Sequence, residues 1–414
     1  MMNHRLADGV EPDRVVTPTS DDEIADILRG KVASEWVLPV GGATAVTTGN
    51  AVDRVPTLMD LSGLSGILEY EPADLTVSVR AGTRWSELIA ALGENGQTIP
   101  VDVPFSDSAT VGGVVAAGWV GPRRLRDGTM KDLLIGASFV RGDGLMAKAG
   151  GMVVKNVSGF EIPRLLHGSY GSLAVITSVN LKVVPSHEAE LTLRTGEMPL
   201  LDAIDSVLRL TREQPSIAAA VVDGDGAEGV IAIRLSGRRN PIRELADNIR
   251  ASFNGPLLGE SLDDVESATF WQRHGDGLAT ASDDRVTIEV GCGPADTSSI
   301  VRQIREQFDR DAGIGYSISP GTGSITLALA ASTLSLAQWR EFWQRSEIES
   351  KARFVVLDAP RAWRSGVQIW SVPESQRMLM TALKQQFDPQ QRLNRGRLWD
   401  RAAEESVASS GRRL

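Results

Sequence analysis

The sequence predicts an α+β protein built from two units. In the first 185 residues, short alternating strands such as Thr76–Arg80 are mixed with amphipathic helices. After Glu190, two strand–helix–strand–strand–helix series follow one another, which predicts one antiparallel sheet carrying helices on one face. The 41 glycines are the third observation, because many stand in pairs where a strand or helix is expected to begin or end.

Size and composition narrow the class of protein. With 414 residues, 42% of them hydrophobic, the chain is long enough for two or three domains with their own cores. The net charge of −10 argues against nucleic-acid binding, which requires a basic surface. The N-terminal residues lack the apolar stretch typical of a signal peptide, and no apolar run is long enough for a membrane helix. We therefore expect a cytoplasmic protein that reaches a membrane only through partner subunits.

The single cysteine and the few histidines limit the chemistry of the chain. With Cys292 alone, neither an internal disulfide nor an iron–sulfur cluster can be built from this chain. The four histidines show no metal-ligand spacing, so we predict no metal site. A basic cluster over residues 123–131 is the main exception to the acidic composition. It is either a solvated loop or a surface that faces a ligand or a partner subunit.

The first unit is predicted to consist of two sub-blocks that meet near Asp102. Ser20 and Glu23 form a capping box at the start of the first helix, and Trp85 and Leu88 belong to the apolar face of the second. Helices are predicted at residues 21–29, 83–92 and 160–166, and strands at residues 36–40, 57–61, 66–70, 76–80, 133–140, 145–149 and 175–184.

The second unit is predicted to run from residue 187 to residue 377, after a first unit over residues 1–186. A helical segment over 378–400 and a disordered tail over 401–414 complete the chain. Strands are predicted at residues 190–194, 217–222, 230–235, 285–290 and 354–357 and on both sides of the turn 320–323, and helices near residues 201–208, 241–249, 298–308 and 337–344.

Two glycine-rich segments have the composition of ligand-binding loops. Gly41 and Gly42 follow a buried strand, so several backbone N–H groups are left unpaired on one side, which suits phosphate oxygens. The second segment runs from Ser108 to Gly118, where small residues let the backbone approach a flat or anionic ligand. Taken singly, each motif is also compatible with an ordinary turn between buried strands.

The order and spacing of several motifs indicate a known family. These motifs are Gly121-Pro-Arg-Arg124, Lys131-Asp-Leu-Leu-Ile-Gly136, Gly150-Gly-Met-Val-Val-Lys-Asn-Val-Ser-Gly-Phe160, Gly168-Ser-Tyr-Gly-Ser172 and the tail from Phe387-Asp-Pro389 to Asn394-Arg-Gly-Arg397. They resemble the FAD-binding domain shared by vanillyl-alcohol oxidase, p-cresol methylhydroxylase and bacterial D-2-hydroxyacid dehydrogenases. Within this family they are most similar to the FAD-binding subunits of bacterial glycolate oxidases. The resemblance covers residues 15–185 and 387–398.

The resemblance implies a two-lobed PCMH-type FAD-binding domain, an α+β cap, and a C-terminal segment that returns to the flavin. It also implies which residues contact the cofactor. The pyrophosphate loop would be Gly41, Gly42, Ala43 and Thr44, and the second loop Ser108, Thr110, Val111, Gly112 and Gly113, with Gly118 beside the flavin. The adenine end would be enclosed by Gly168, Gly171, Ser172, Val175 and Ile176, and the tail would contribute Asn394 and Arg397.

FAD is expected to be bound non-covalently. Members of the family that tether FAD use a histidine or cysteine beside the flavin. Here the pyrophosphate loop holds Ala43 and Thr44, and Cys292 lies in the cap.

The function implied by the resemblance is that of the FAD-binding subunit of a glycolate oxidase-like complex. It would oxidise a small D-2-hydroxyacid and pass electrons to a paralogous FAD subunit and an iron–sulfur subunit. Catalytic members of the family carry a histidine-rich metal cluster in the cap, whereas this cap has only His274, with His187 at its edge. A non-catalytic, flavin-bearing structural or electron-relay subunit is therefore the alternative. A stand-alone flavin oxidase of another alcohol is a third interpretation.

Three residues of the cap are candidates for catalysis. His274, which follows Trp271, is either a general base or a hydrogen-bonded histidine near a helix end. Arg361 and Arg364 either clamp a substrate carboxylate or lie at a surface or interface.

Overall fold

The computed structural model describes residues 9–32, 35–152, 161–253, 261–282, 284–332, 335–345, 351–364 and 370–398. Residues 153–160 of the third motif, the last two residues of the predicted C-terminal segment and the predicted disordered tail 401–414 lie outside these ranges. Within them the chain has the predicted α+β class. None of the helices described has both the length and the apolar character needed to cross a bilayer.

The N-terminal lobe is a small parallel sheet covered by one helix. Its elements are β1 (Val15–Val16), α1 (Asp21–Leu28), β2 (Val37–Val40) and β3 (Thr57–Asp60), and the strands pair in the order β1–β3–β2. Ser20 Oγ accepts a hydrogen bond from the Glu23 N–H (3.2 Å), and the Glu23 carboxylate accepts one from the Thr19 N–H (2.8 Å). The helix therefore begins where the capping residues predict.

The second lobe is a five-stranded antiparallel sheet with helices around it. Its strands are β4 (Ile67–Glu71), β5 (Thr76–Arg80), β7 (Leu134–Arg141), β8 (Met146–Gly150) and β9 (Ala174–Lys182), in the order β4–β5–β9–β7–β8. Its helices are α2 (Trp85–Gly93), α3 (Val111–Ala117), α4 (Arg124–Asp127), α5 (Met130–Leu133) and α6 (Ile162–Leu166). Two short strands, β6 (Gln97–Thr98) and β10 (Val184–Pro185), pair beside the sheet.

The prediction that the two sub-blocks meet near Asp102 is wrong. Strands β4 and β5 belong to the five-stranded sheet, so the lobes divide between β3 and β4 instead. The reason is a long-range pairing: Val77 lies opposite Leu181, and Val79 lies opposite Val179. A strand's partner about 100 residues away leaves no local mark in the sequence.

The second unit contains one antiparallel sheet of nine strands. They are β11 (Ala189–Arg194), β12 (Met198–Pro199), β13 (Ala219–Asp225), β14 (Glu228–Gly237), β15 (Leu262–Asp263), β16 (Arg285–Cys292), β17 (Gly315–Ser319), β18 (Ser324–Ala330) and β19 (Ala352–Asp358). They pair antiparallel in the order β15–β11–β14–β13–β17–β18–β16–β19, with β12 beside β14. Both predicted series thus share a single sheet.

Four helices cover one face of this sheet, as predicted. They are α7 (Leu200–Glu213), α8 (Arg239–Ser252), α10 (Thr297–Ala312) and α11 (Leu336–Arg345). Ile204, Ile300 and Trp339 contribute to their common core with the inward residues of the strands.

A fifth long helix, α9 (Asp264–Ala279), was not predicted and lies on the opposite face. Trp271 packs against Val221 and Ala232 of β13 and β14, and its Nε1 donates to Thr192 Oγ1 (2.8 Å). Gln272 Nε2 donates to the Val103 carbonyl (3.2 Å). Helix α9 is therefore inserted between the sheet and the first unit, and the prediction of helices on one face is incomplete.

Paired charges join the two units beside α4. Arg234 of β14 contacts Asp102 (2.7 Å) and Glu190 (2.8 Å), and Arg123 contacts Glu190 (2.7 Å). All four side chains are at most 18% exposed. The pairs hold the first unit against the sheet in a fixed orientation.

After the short helix α12 (Arg361–Arg364), the chain returns to the first unit through α13 (Glu374–Phe387). The Val37 N–H donates to the Arg392 carbonyl (2.6 Å), and the Asn394 N–H donates to the Val37 carbonyl (2.9 Å). The tail thus lies along the edge of β2, directly before the glycine loop.

Candidate functional site

A groove of about 830 Å³ lies where β2, α3, β9 and the tail meet. Eleven of the predicted cofactor residues line it: Gly41, Gly42, Ala43, Thr44, Gly112, Gly113, Gly171, Val175, Ile176, Asn394 and Arg397. Tyr170 lines it as well and had no signal in the sequence beyond its place in a motif.

The glycines of the loop after β2 let it pack closely against the second loop. A Cβ on Gly42 would lie 1.8 Å from the Ser108 carbonyl oxygen, and one on Gly41 would lie 2.0 Å from Thr110 Oγ1. Ala43 has a φ of 59°, a left-handed conformation that is uncommon for residues other than glycine. The N–H groups of residues 42–44 have no acceptor within the described ranges. They form a concave set of free donors that fits an anionic group.

The predicted second loop supports the first instead of presenting its own amides. Thr110 Oγ1 caps α3 by accepting from the Gly113 N–H (3.3 Å), and the Gly112 N–H donates to the Ala81 carbonyl (2.8 Å). The Val111 N–H is taken by the Thr83 carbonyl (2.9 Å). Ser108, Thr110 and Val111 do not line the groove.

Gly168 and Ser172 also lie behind the groove. The Gly168 N–H donates to the Val115 carbonyl (3.0 Å), and a Cβ on Gly118 would lie 2.7 Å from the Gly168 Cα. Ser172 Oγ donates to the Ser169 carbonyl (2.7 Å). These contacts bring β9 and α3 close enough to form the groove wall.

The tail fixes the groove and contributes one free acceptor. Asn394 Nδ2 donates to the Tyr170 carbonyl, whereas its buried Oδ1 has no partner within the described ranges. Arg397 donates to the carbonyls of Thr48 (2.6 Å), Val46 and Asn50 (3.3 Å), so its guanidinium holds the loop after the glycines. The groove therefore offers free amide donors at one place and a free amide acceptor at another.

A second cavity, the inter-unit chamber, continues from the groove. It encloses about 1,140 Å³, and Thr44, Gly113 and Tyr170 line both spaces. Trp119 and Gly118 form its wall on the side of the first unit. The opposite wall consists of Leu278 and Ala279 of α9 and Val355, Leu357 and Asp358 of β19. A mostly apolar space beside an anion-binding loop fits a nucleotide cofactor with a flat ring.

A third cavity, the cap chamber, opens from the inter-unit chamber and encloses about 600 Å³. Arg124 and Glu289 line both chambers. Arg124 Nη2 donates to the Thr322 carbonyl (2.7 Å), and no carboxylate of the described residues lies within 4.0 Å of its guanidinium. Arg123 and Arg126 are instead engaged with Glu190 (2.7 Å) and the Ser236 carbonyl (2.8 Å). Of these three arginines, Arg124 is the one available to an anion in the chambers.

Glu289 lies across the same junction. Ser324 Oγ donates to Glu289 Oε1 (3.1 Å). Desolvation in the depth of the cavity raises the pKa of this carboxyl, although the Ser324 hydrogen bond and the charge of Arg124 oppose the rise. A carboxyl with a raised pKa can exchange protons closer to neutral pH than an exposed one.

His274 lies inside α9 and lines the cap chamber. Its Nε2 is 3.0 Å from both Asp223 Oδ1 and Ser317 Oγ, and its buried Nδ1 has no partner within the described ranges. Burial alone would lower the pKa of His274, but the hydrogen bond and charge of Asp223, with the charge of Asp102, outweigh it and raise the pKa. His274 is therefore a positioned side chain, one ring nitrogen of which has no partner among the described residues.

Arg361 and Arg364 do not line any of the three cavities. Arg361 pairs with the exposed Asp53 (2.5 Å). Arg364 is buried and donates to the carbonyls of Ala359 (2.8 Å) and Gly49 (3.2 Å). These positions do not support a substrate clamp. In the described part of the chain, no three His, Cys, Asp or Glu side chains are grouped so that they could hold a metal ion.

Comparison with known proteins identifies the first unit. Residues 12–160 match the model of a family described as an FAD binding domain. The chain is 39% identical over 150 residues to the glycolate oxidase subunit GlcE of Escherichia coli (strain K12), covering 36% of this chain and 43% of that protein. It is 29% identical over 214 residues to the glycolate oxidase subunit GlcD of Bacillus subtilis (strain 168), covering 51% and 44%.

Other relatives extend the match into the second unit. The D-lactate dehydrogenase of Archaeoglobus fulgidus is 29% identical over 257 residues, which cover 61% of this chain and 55% of that protein. The matches span about half the length of these curated relatives. The solved structure of an alkyldihydroxyacetonephosphate synthase superposes on 91% of this chain and 75% of its own with a TM-score of 0.62 at 15% identity, which shows a shared fold. The predicted resemblance is confirmed, and the cofactor of the N-terminal unit is FAD.

Proposed function

We propose that this chain, whose N-terminal unit is an FAD-binding domain, is an FAD-dependent oxidoreductase of small 2-hydroxyacids. Relatives named as glycolate oxidase subunits and D-lactate dehydrogenases support this reaction class. The observation that carries the proposal is the position of Arg124. It lines both the inter-unit chamber and the cap chamber, and no carboxylate of the described residues lies within 4.0 Å of its guanidinium. A partly buried guanidinium of this kind is suited to hold the carboxylate of a 2-hydroxyacid through two parallel hydrogen bonds.

The groove residues would hold FAD without a covalent bond. The free N–H groups of residues 42–44 would face the pyrophosphate, and Asn394 Oδ1 would accept from a donor of the cofactor. Among the described residues that line the groove and the inter-unit chamber there is neither histidine nor cysteine. Burial strongly raises the pKa of Tyr170, so its phenol stays protonated and unreactive. Bound FAD supplies the two-electron acceptor for oxidation of an alcohol carbon.

Glu289 would accept the proton of the substrate hydroxyl. Its raised pKa brings proton uptake closer to the working pH. When Arg124 binds the substrate carboxylate, a second negative charge is placed beside Glu289. That charge raises the pKa of Glu289 further, so binding prepares the carboxylate for proton transfer.

The electrons would leave the chain through partner subunits. The single cysteine cannot supply an iron–sulfur cluster, so we propose an iron–sulfur subunit and a paralogous FAD subunit as partners in a glycolate oxidase-like complex. The alternative is a flavin-bearing structural or relay subunit that performs no substrate chemistry. Both proposals require FAD, and they differ in whether the chain reduces its own flavin.

One experiment separates these functions. The purified chain, loaded with FAD, is precipitated with acid, and a second sample is mixed anaerobically with D-lactate or glycolate. We expect yellow flavin in the supernatant of the first and loss of flavin absorbance in the second. Flavin retained in the pellet would contradict non-covalent binding. Released flavin that stays oxidised with every 2-hydroxyacid would contradict catalysis by this chain and favour the relay subunit.

A further inference from the structure

The cap chamber is lined by hydroxyl groups to an extent that a two-carbon hydroxyacid does not require. Its hydroxyl-bearing residues are Ser317, Ser319, Thr322, Ser324 and Thr326. In β17 and β18 they alternate with Ile318, Ile325 and Leu327, which face the opposite core. The strands therefore present a polar face where a core sheet covered on both sides would normally be apolar.

Polar residues form a continuous row across four strands of this face. Asp223 lies opposite Ser317, Ser317 lies opposite Thr326, and Thr326 lies opposite Glu289. Directly opposite residues point to the same side of a sheet, and neighbouring strands are ~4.8 Å apart. The row therefore extends ~14 Å from the Asp223 end to Glu289. We name these four residues the polar row.

The two ends of the polar row have different chemistry. At the Glu289 end, Arg124 lines the wall shared with the inter-unit chamber. At the other end, Asp223 and Ser317 contact His274 Nε2, and the buried Nδ1 has no partner within the described ranges. A carboxylate is favoured at Arg124. Beyond it, the chamber is lined by hydroxyl groups, which both donate and accept hydrogen bonds, and by the imidazole of His274.

The charges of the lining residues limit the ligand to a single carboxylate. Asp102 is paired with Arg234 (2.7 Å), and His274 is paired with Asp223 (3.0 Å). Among the described residues that line the cap chamber, this leaves Arg124 as the cation without a carboxylate partner. A second carboxylate at the His274 end would lie near Asp102 and Asp223 with no free cation to balance it.

We propose that the substrate is a polyhydroxylated monocarboxylate, a 2-hydroxyacid with at least one further hydroxyl beyond C2. Arg124 holds its carboxylate, Glu289 lies at the C2 hydroxyl, and Thr326, Ser317 and His274 bind the hydroxyls that follow. A site built to hydrogen-bond a hydroxyl strongly disfavours the analogue that lacks it, because its own polar groups are left unpaired. This inference rests on the proposed oxidation of 2-hydroxyacids and names the substrate class for that site.

The test compares ligands that differ by one group. Pyruvate, hydroxypyruvate and 2-oxoglutarate are titrated calorimetrically into the FAD-loaded chain, since 2-oxoacids occupy the product state of the reaction. We expect hydroxypyruvate to bind roughly tenfold tighter than pyruvate, and 2-oxoglutarate no tighter than pyruvate. In the forward reaction, the kcat/KM for D-glycerate should likewise exceed that for D-lactate.

Two threonine variants test whether the polar row recognises the additional hydroxyl of the ligand. Thr326→Val removes one hydroxyl from the polar row at nearly constant volume and should abolish most of the preference for hydroxypyruvate over pyruvate. Thr287→Val is the matched control. Thr287 is buried on the same face of β16 as Glu289 but does not line the cap chamber. It should keep the preference. FAD content verifies the folding of both variants.

The outcomes distinguish this inference from the function on which it rests. Equal or tighter binding of pyruvate, tightest binding of 2-oxoglutarate, or an unchanged preference in Thr326→Val would overturn the substrate class. In those cases bleaching of the flavin by D-lactate would leave the proposed function intact. If none of the three 2-oxoacids binds and no 2-hydroxyacid bleaches the flavin, both proposals are overturned.

Discussion

The protonation state of Glu289 is expected to make the activity depend on pH. Desolvation raises its pKa, so below that raised pKa the carboxyl is protonated and cannot accept a proton. We predict an acidic limb in the pH profile of kcat/KM, with a midpoint above the ordinary glutamate value of 4.5. Glu289→Gln should remove this limb and lower kcat by about 100-fold or more. An unchanged pH profile in this variant would exclude Glu289 as the proton acceptor.

The same shift makes a prediction about stability. The folded state holds the Glu289 proton more tightly than the unfolded chain, so stability falls as pH rises from the ordinary to the raised pKa. Glu289→Gln carries no such charge. Its Tm should match the wild type below pH 4.5, exceed it increasingly through that window, and stay higher above it. Thermal unfolding of both proteins between pH 4 and pH 9 measures the difference. A higher Tm of Glu289→Gln at low pH alone would contradict a raised pKa of Glu289.

Gly42 tests the role of the loop after β2. In Gly42→Ala, the new Cβ would meet the Ser108 carbonyl oxygen at 1.8 Å, so the loop must move away from the second loop. We expect about ten- to hundredfold weaker FAD binding, measured by fluorescence of released flavin. Gly93→Ala is the control, since its Cβ would meet nothing within 4 Å. Unchanged FAD affinity in Gly42→Ala would contradict the close packing of the loops.

Single residues were predictable where their backbone role leaves a sequence signal. Paired glycines at 41–42 after a buried strand indicate a loop with free amides, and the structure brings that loop to the groove. Glu289 carried no such signal, because one glutamate in an alternating strand reads as a solvent-facing position. Arg124 was visible only as part of a basic cluster, since Arg123 and Arg126 are engaged by Glu190 and the Ser236 carbonyl, which lie more than 60 positions away in the sequence.

At the scale of elements, the missed helix is the instructive case. Helix α9 contains Gly275 and Gly277 and buries Ser267 and Trp271 completely, so it lacks a broad apolar face. It packs on two sides. Trp271 and His274 contact β13 and β14, and Gln272 and Asp276 form hydrogen bonds with the first unit. Hydrophobic periodicity therefore does not predict a helix whose two packed faces are both partly polar.

The tail is the other element whose position decides the site. Asp388 is fully buried, where it contacts Lys384 Nζ (2.6 Å) and accepts from the N–H groups of Arg392 (2.7 Å) and Leu393 (2.8 Å). Lys384 Nζ also donates to the Ser172 carbonyl (2.7 Å). This network holds the tail against β2 and so places Asn394 at the groove.

Breaking that network should release the tail. Asp388→Asn removes the charge that Lys384 requires, and we expect the free energy of unfolding to fall by about 3 kcal/mol, together with weaker FAD binding. Chemical denaturation and FAD titration measure the two effects. Asp247→Asn, which alters an exposed ion pair with Arg250, should change neither. A stable Asp388→Asn variant with normal FAD affinity would show that the tail is not needed for the groove.

For the whole molecule, the class and many of the longer strands and helices were predictable, whereas helix α9 and the contacts between distant elements were not. Local periodicity defines strands such as β5, but its partner β9 is chosen by long-range packing, which is why the lobe boundary was misplaced. The inter-unit chamber depends on the same kind of contact, since Arg123, Asp102, Arg234 and Glu190 join the units. The domain boundaries themselves stay a prediction.

Both units enclose one cleft in which Arg124 is proposed to anchor the substrate. The measurement that tests this most directly is anaerobic reduction of the FAD-loaded chain by D-lactate over a range of concentrations. We predict saturable bleaching in the wild type, about 100-fold higher KM in Arg124→Met with FAD still bound, and wild-type behaviour in Arg164→Met, which alters an exposed ion pair. Identical saturation of the wild type and Arg124→Met, or a wild-type flavin that no hydroxyacid reduces, would contradict the account.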